Sequence, residues 1–117
     1  MARMALYNDT PHINVDAVDS GNAYILRAEV PGADKQHIHI EVEGNTVNIT
    51  VKKDGKGEHK AGERVVRQEC YWGELHRCVP LGSTLDREHT HAKLENGILT
   101  LTLPKKQGHS DHRITIS

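Results

Sequence analysis

The chain contains no phenylalanine, and its aromatic residues are one tryptophan and three tyrosines. It lacks the most apolar of the side chains that dominate core and interface energetics. Two cysteines, Cys70 and Cys78, are too few for a disulfide scaffold, and a reducing cytoplasm is the simplest setting. No run of 18 apolar residues exists, which excludes a membrane-spanning helix. Residues 1–6 are too short a stretch for a signal peptide. The formal net charge of −1 leaves no large field of one sign, so neither nucleic acid nor a membrane surface is implied as a partner. A Ser-His-Asp order, a Gly-rich phosphate loop and a nucleotide-binding motif are all missing. No enzyme, catalytic residue or cofactor is therefore expected. No segment holds a helical period over three turns.

What is present is short and alternating. The length of 117 residues suits one domain. An apolar content of 36%, with ten glycines besides, permits a modest core. Turn signals recur at Asp19-Ser20-Gly21-Asn22, Pro31-Gly32, Gly44-Asn45, Asp54-Gly55-Lys56-Gly57, Gly82-Ser83 and Asn96-Gly97. Between them, apolar residues alternate with polar ones. Ile13, Val15 and Ala17 share a face, as do Tyr24, Leu26, Ala28 and Val30. Ile38, Ile40 and Val42 follow, then Val47, Ile49 and Val51, a less regular run of Leu75, Val79 and Leu81, and finally Leu99, Leu101 and Leu103. Many short strands at this spacing predict an all-β sandwich.

The divisions are a short arm at 1–11, a β-sandwich domain at 12–104 with a long loop near 52–71, and an extension at 105–117. The long loop is rich in glycine and charge, but Val65-Val66 gives it β propensity. The extension ends in Ile114-Thr115-Ile116. Two isoleucines two apart on an extended segment point the same way. Such a tag suits addition to a sheet edge, where backbone hydrogen bonds and alternate side-chain pockets act together.

Four motifs in order resemble the small heat-shock proteins, the alpha-crystallin family. Pro31-Gly32 precedes Ile38-His39-Ile40-Glu41-Val42, and Gly73-Glu74-Leu75-His76-Arg77 resembles the family's Gly-x-Phe-x-Arg with Leu75 in place of Phe. Ala92-x-x-x-Asn96-Gly97-Ile98-Leu99 resembles its most specific motif, and Ile114-Thr115-Ile116 its C-terminal Ile-x-Ile. The resemblance implies an immunoglobulin-like β-sandwich and ATP-independent holding of unfolding proteins, with no cofactor. The long loop is similar to that of the bacterial and plant branch, in which it carries a strand that pairs with a partner subunit. By that resemblance Arg64, Val65, Val66, Arg67 and Glu69 add to the partner's strand bearing Ile13 and Val15, which makes a homodimer. The tail residues Ile114 and Ile116 are expected to dock in a groove formed by Ile38, Ile40, Val42, Ala92 and Leu94, building higher oligomers. Burying two isoleucines there contributes about 2–6 kcal/mol before ordering costs. Family members usually carry a longer, Phe-rich N-terminal region, so the short arm implies weaker chaperone activity than in long-armed relatives.

Three constellations compete with this reading. Arg77 lies in register with Leu75 and Val79 on an apolar face, either snorkelling to solvent or forming an interface ion pair with Glu63 or Glu69. His37/His39 and His89/His91 are i, i+2 pairs, which a strand projects to one face. They read as solvated histidines, with a pH effect on docking as the modest alternative and metal binding as the sharper one. Cys70 and Cys78 read as free thiols rather than a metal or redox site. The rivals to a client-holding chaperone are a co-chaperone of related sandwich fold that binds a folded partner, and a histidine-rich metal-binding stress protein.

Overall fold

A computed structural model describes residues 12–53, 60–69 and 73–107. Seven strands account for most of them: β1 (Val15–Asp19), β2 (Ala23–Glu29), β3 (Ile38–Glu43), β4 (Thr46–Lys53), β5 (Gly73–Pro80), β6 (His91–Glu95) and β7 (Ile98–Pro104). They form two antiparallel sheets, one in the order β1-β2-β7-β6 and the other β3-β4-β5. The all-β sandwich expected from alternation is what the chain adopts.

The turns follow from local chemistry. Asn96 (φ 53°) and Gly97 (φ 77°) join β6 to β7 in two residues, both left-handed, as a type I′ hairpin requires. A Cβ added to Gly97 would lie 3.4 Å from Pro31 Cα. Gly97→Ala should therefore cost about 1–2 kcal/mol, read as a Tm lowered by about 4–8 °C per kcal/mol in thermal denaturation. An unchanged Tm would mean that this turn does not hold the hairpin.

The core follows the alternation. Tyr24, Leu26 and Ala28 pair with Leu103, Leu101 and Leu99 on the inward face of the first sheet. Val47, Ile49 and Val51 supply the second sheet, and all of these residues are buried. With no phenylalanine to fill the space, the centre is aliphatic, and Tyr24 keeps its hydroxyl near Ser83 Oγ at 3.3 Å. Among the described residues, no polar or charged side chain is buried.

Some boundaries differ from expectation. Ile13 lies before β1 rather than in it, and its side chain is fully buried in its own sandwich. It keeps the inward parity of Val15, and alternation reads parity rather than strand ends. The irregular run at 75–81 is the regular strand β5, in which Arg77 takes the inward place between Leu75 and Val79. Residues 60–69 are exposed and form no strand within the chain.

Candidate functional site

Each sheet ends in an unpaired strand on the same side of the molecule. β3 is the edge of the second sheet and β6 the edge of the first. Between them opens a cleft of about 550 Å³, lined by Ile40, Val42, Thr90, Ala92 and Leu101, with Glu41, Glu43 and Arg87 at its rim. Strand parity builds it. Ile38, Ile40 and Val42 face inward opposite Val51, Ile49 and Val47. Ala92 and Leu94 face inward opposite Leu101 and Leu99. The β3 residues and Leu94 rest on the core yet remain half-buried, since nothing in the chain's described residues covers them from the groove side. Ala92 is too small to close the gap above Leu101.

The structure thus brings Ile40, Val42 and Ala92 into one cleft, with Ile38 and Leu94 continuing the same two walls. Ile114 and Ile116 lie outside the described residues. Sequence reading missed Thr90, Leu101, Arg87, Glu41 and Glu43. Leu101 could have been found from the hairpin register, which sets it opposite Ala92.

Both walls start the same way. Asp34-Lys35-Gln36-His37-Ile38-His39 and Asp86-Arg87-Glu88-His89-Thr90-His91 share the pattern Asp, basic, Gln or Glu, His, x, His. In each, a 3-10 turn leads into the edge strand. The His37 N–H donates to Asp34 O at 2.9 Å, and the His89 N–H to Asp86 O at 3.2 Å. The rings also approach their aspartates, at 3.9 Å for His37 and 2.8 Å for His89. His39 and His91 are exposed on the outward faces. Because Arg87 and Thr90 meet Val42 and Glu43, the two pairs stand at opposite ends of the groove. Among the described residues, no three His, Cys, Asp or Glu side chains are placed to hold a metal ion. Cys78 is an exposed free thiol, and Cys70 lies outside the described residues.

The first sheet's other open edge is β1, which pairs only with β2, and that of the second sheet is β5. Val15 is half-buried there, while the Ile13 side chain is buried, so Ile13 meets other groups through its backbone. Arg77 reaches across from β5 and donates from Nη1 to Ile13 O at 2.8 Å. Neither acidic residue considered from sequence meets it. Glu63 accepts from Lys60 N–H at 2.7 Å, and Glu69 pairs with Arg67 at 3.0 Å. Arg77 is thus a half-buried clasp between the sheets. Arg77→Met keeps the stem and removes the bond, so it should cost about 1.5–3 kcal/mol. Urea denaturation measures this, and an unchanged midpoint would mean the clasp carries no stability. Arg64, Val65, Val66 and Arg67 remain on the exposed loop, with Val66 86% exposed.

The pattern of the Hsp20/alpha crystallin family matches residues 16–117. Small heat shock protein C2 of Rickettsia felis is 30% identical over 109 residues, 93% of this chain and 69% of that protein. The 22.7 kDa class IV heat shock protein of Pisum sativum is 37% identical over 94 residues, 80% of this chain and 48% of that protein. The chain thus spans between about half and about two thirds of the length of these relatives. Among solved structures, heat shock protein 16.0 from Schizosaccharomyces pombe superposes with a TM-score of 0.70 at 22% identity, covering 92% of this chain and all of that one. A small heat-shock protein from Xylella fastidiosa gives 0.67 at 24% identity, covering 90% and 95%. At such identities the likeness establishes the sandwich fold.

Proposed function

Since the chain belongs to the Hsp20/alpha crystallin family, we propose that it is an ATP-independent holdase that binds non-native proteins at the β3–β6 groove and keeps them from aggregating. The observation that carries this reading is the groove itself: two facing strand edges above an apolar floor. An extended segment can add backbone hydrogen bonds to either edge and place alternate side chains against Ile40, Val42 and Ala92. No chemical step is needed, so no cofactor enters. A cytoplasmic setting suits the exposed thiol of Cys78.

Assembly follows from the same logic. The free edge of β1 pairs with the 64–69 segment of a second copy, and the exchange is reciprocal about a twofold axis. Two open edges are closed at once, which removes a hazard to solubility. Ile114 and Ile116 occupy the groove and link dimers into larger species.

The direct test of holding is light scattering from a heated model client. Protection should be present without nucleotide and unchanged by added ATP; no protection at equimolar subunits would refute the reading. For assembly, Ile114→Ala with Ile116→Ala should leave thermal unfolding of the dimer unaltered and abolish larger species in native mass spectrometry. An unchanged oligomer mass would remove the tail from the assembly.

A further inference from the structure

We propose that the groove selects its clients by charge: it takes extended non-native segments in which apolar residues alternate with lysine or arginine, and it takes them on the β3 edge. The inference rests on the reading of the groove as the client site and adds which segments that site favours.

Strand parity sets both demands. A segment added to β3 turns successive side chains to opposite faces. Those beside Ile40 and Val42 enter the cleft over Leu101, where apolar groups are suited. Those beside Glu41 and Glu43 stand on the outer face, in cross-strand contact with the two carboxylates. Both glutamates are exposed. On the sheet side their neighbours are neutral, with Asn48 opposite Glu41 and Thr46 opposite Glu43. Among the described residues neither carboxylate has an ion-pair partner, although Arg87 lines the same cleft. The open side of β3 is therefore where a cation can meet them.

The facing edge makes no such demand. The outward residues of β6 are His91, Lys93 and Glu95, and Lys93 pairs with Glu95 at 3.3 Å. Negative charge prevails again past the end of β3. The hollow there carries Glu43, Asp86 and Glu88 against Arg87 and Lys106. Opposite charges across a strand pair stabilise it, and like charges weaken it. Two such pairs changing sign together should separate a basic segment from an acidic one by about tenfold in Kd. An acidic segment of equal apolar content is turned away at the same edge, so the carboxylates discriminate as well as attract. Because these pairs are exposed, salt screens them.

The test uses the full chain and three fluorescein-labelled octapeptides with blocked ends. Each alternates isoleucine with one other residue: lysine, threonine or glutamate. Fluorescence anisotropy gives the Kd of each for the parent, for the Ile114→Ala, Ile116→Ala variant, and for Glu41→Gln combined with Glu43→Gln. The expected order of affinity is lysine, threonine, glutamate, with about tenfold between the extremes. That spread should collapse in the glutamine variant and in high salt. Equal affinities for the lysine and glutamate peptides, or a preference that survives the glutamine substitutions, would overturn charge selection. If Ala92→Trp, which fills the cleft, still abolished that binding, the groove reading would stand. No binding of any peptide, even with the tail anchors removed, would overturn both.

Discussion

Deleting residues 57–68 should leave a folded sandwich that sediments as a monomer. The loop's described residues, 60–69, add nothing to the core: they are exposed throughout, and among the described residues every buried side chain comes from outside the loop. Its removal leaves a closable gap. Lys53 and Gly73 face each other in the β4–β5 ladder, and seven residues remain to join them. A hairpin loop of that length is readily closed. On the proposed dimer, what is lost is the segment that would cover β1 of a second copy. Val65 and Val66 are 46% and 86% exposed in the single chain. These adjacent β-branched residues suit an extended segment that a partner's open strand edge can pair with. The expected effect is complete loss of dimer at micromolar concentration, with thermal unfolding little changed. Sedimentation velocity measures it. A dimer that survives would move the interface to direct edge-to-edge pairing, with β5 the available edge of the second sheet.

The sandwich was legible because its signals are local. Leu99, Leu101 and Leu103 announce a half-buried strand by parity alone, and Asn96-Gly97 announces its hairpin by backbone chemistry. Strand ends were less legible. The β1 ladder runs to Asp19, whose carboxylate accepts the Gly21 N–H, and whether pairing continues to the turn is not written in apolar spacing. Burial of Ile13 outside any strand escaped for the same reason. Arg77 shows a different limit. Its inward parity was visible, but its acceptor is a backbone carbonyl 64 residues away, and carbonyls carry no sequence signature. The groove was half legible. Ile40 and Val42 were recognisable as a wall, whereas Leu101 beneath them needed the hairpin register, and Arg87 needed the path of the chain between sheets. The repeated Asp-to-His hexapeptide was present in the sequence, but its meaning depends on both copies opening onto edge strands.

The second large effect concerns the groove directly. Client holding needs apolar area that can be exchanged reversibly, contributing about 25 cal/mol for each Å² covered. Ile38, Ile40, Val42 and Leu94 are half-buried along the groove and offer such area. If the tail occupies the same surface, tail and client compete for it. Removing the tail's anchors should then raise the fraction of open grooves and the protection given per subunit. A ligand that excludes another from one site lowers its apparent affinity by the fraction occupied, and its loss restores the full value. The alternative is that protection depends on large assemblies, in which case removing the anchors must lower it.

The decisive measurement is therefore aggregation of a heated model client, followed by light scattering at equal subunit concentration for the parent and the Ile114→Ala, Ile116→Ala variant, with the fold of both verified by circular dichroism. Groove binding predicts that the variant suppresses scattering at least as well as the parent. A clear loss of protection in the folded variant would contradict it and place the activity in the assembly.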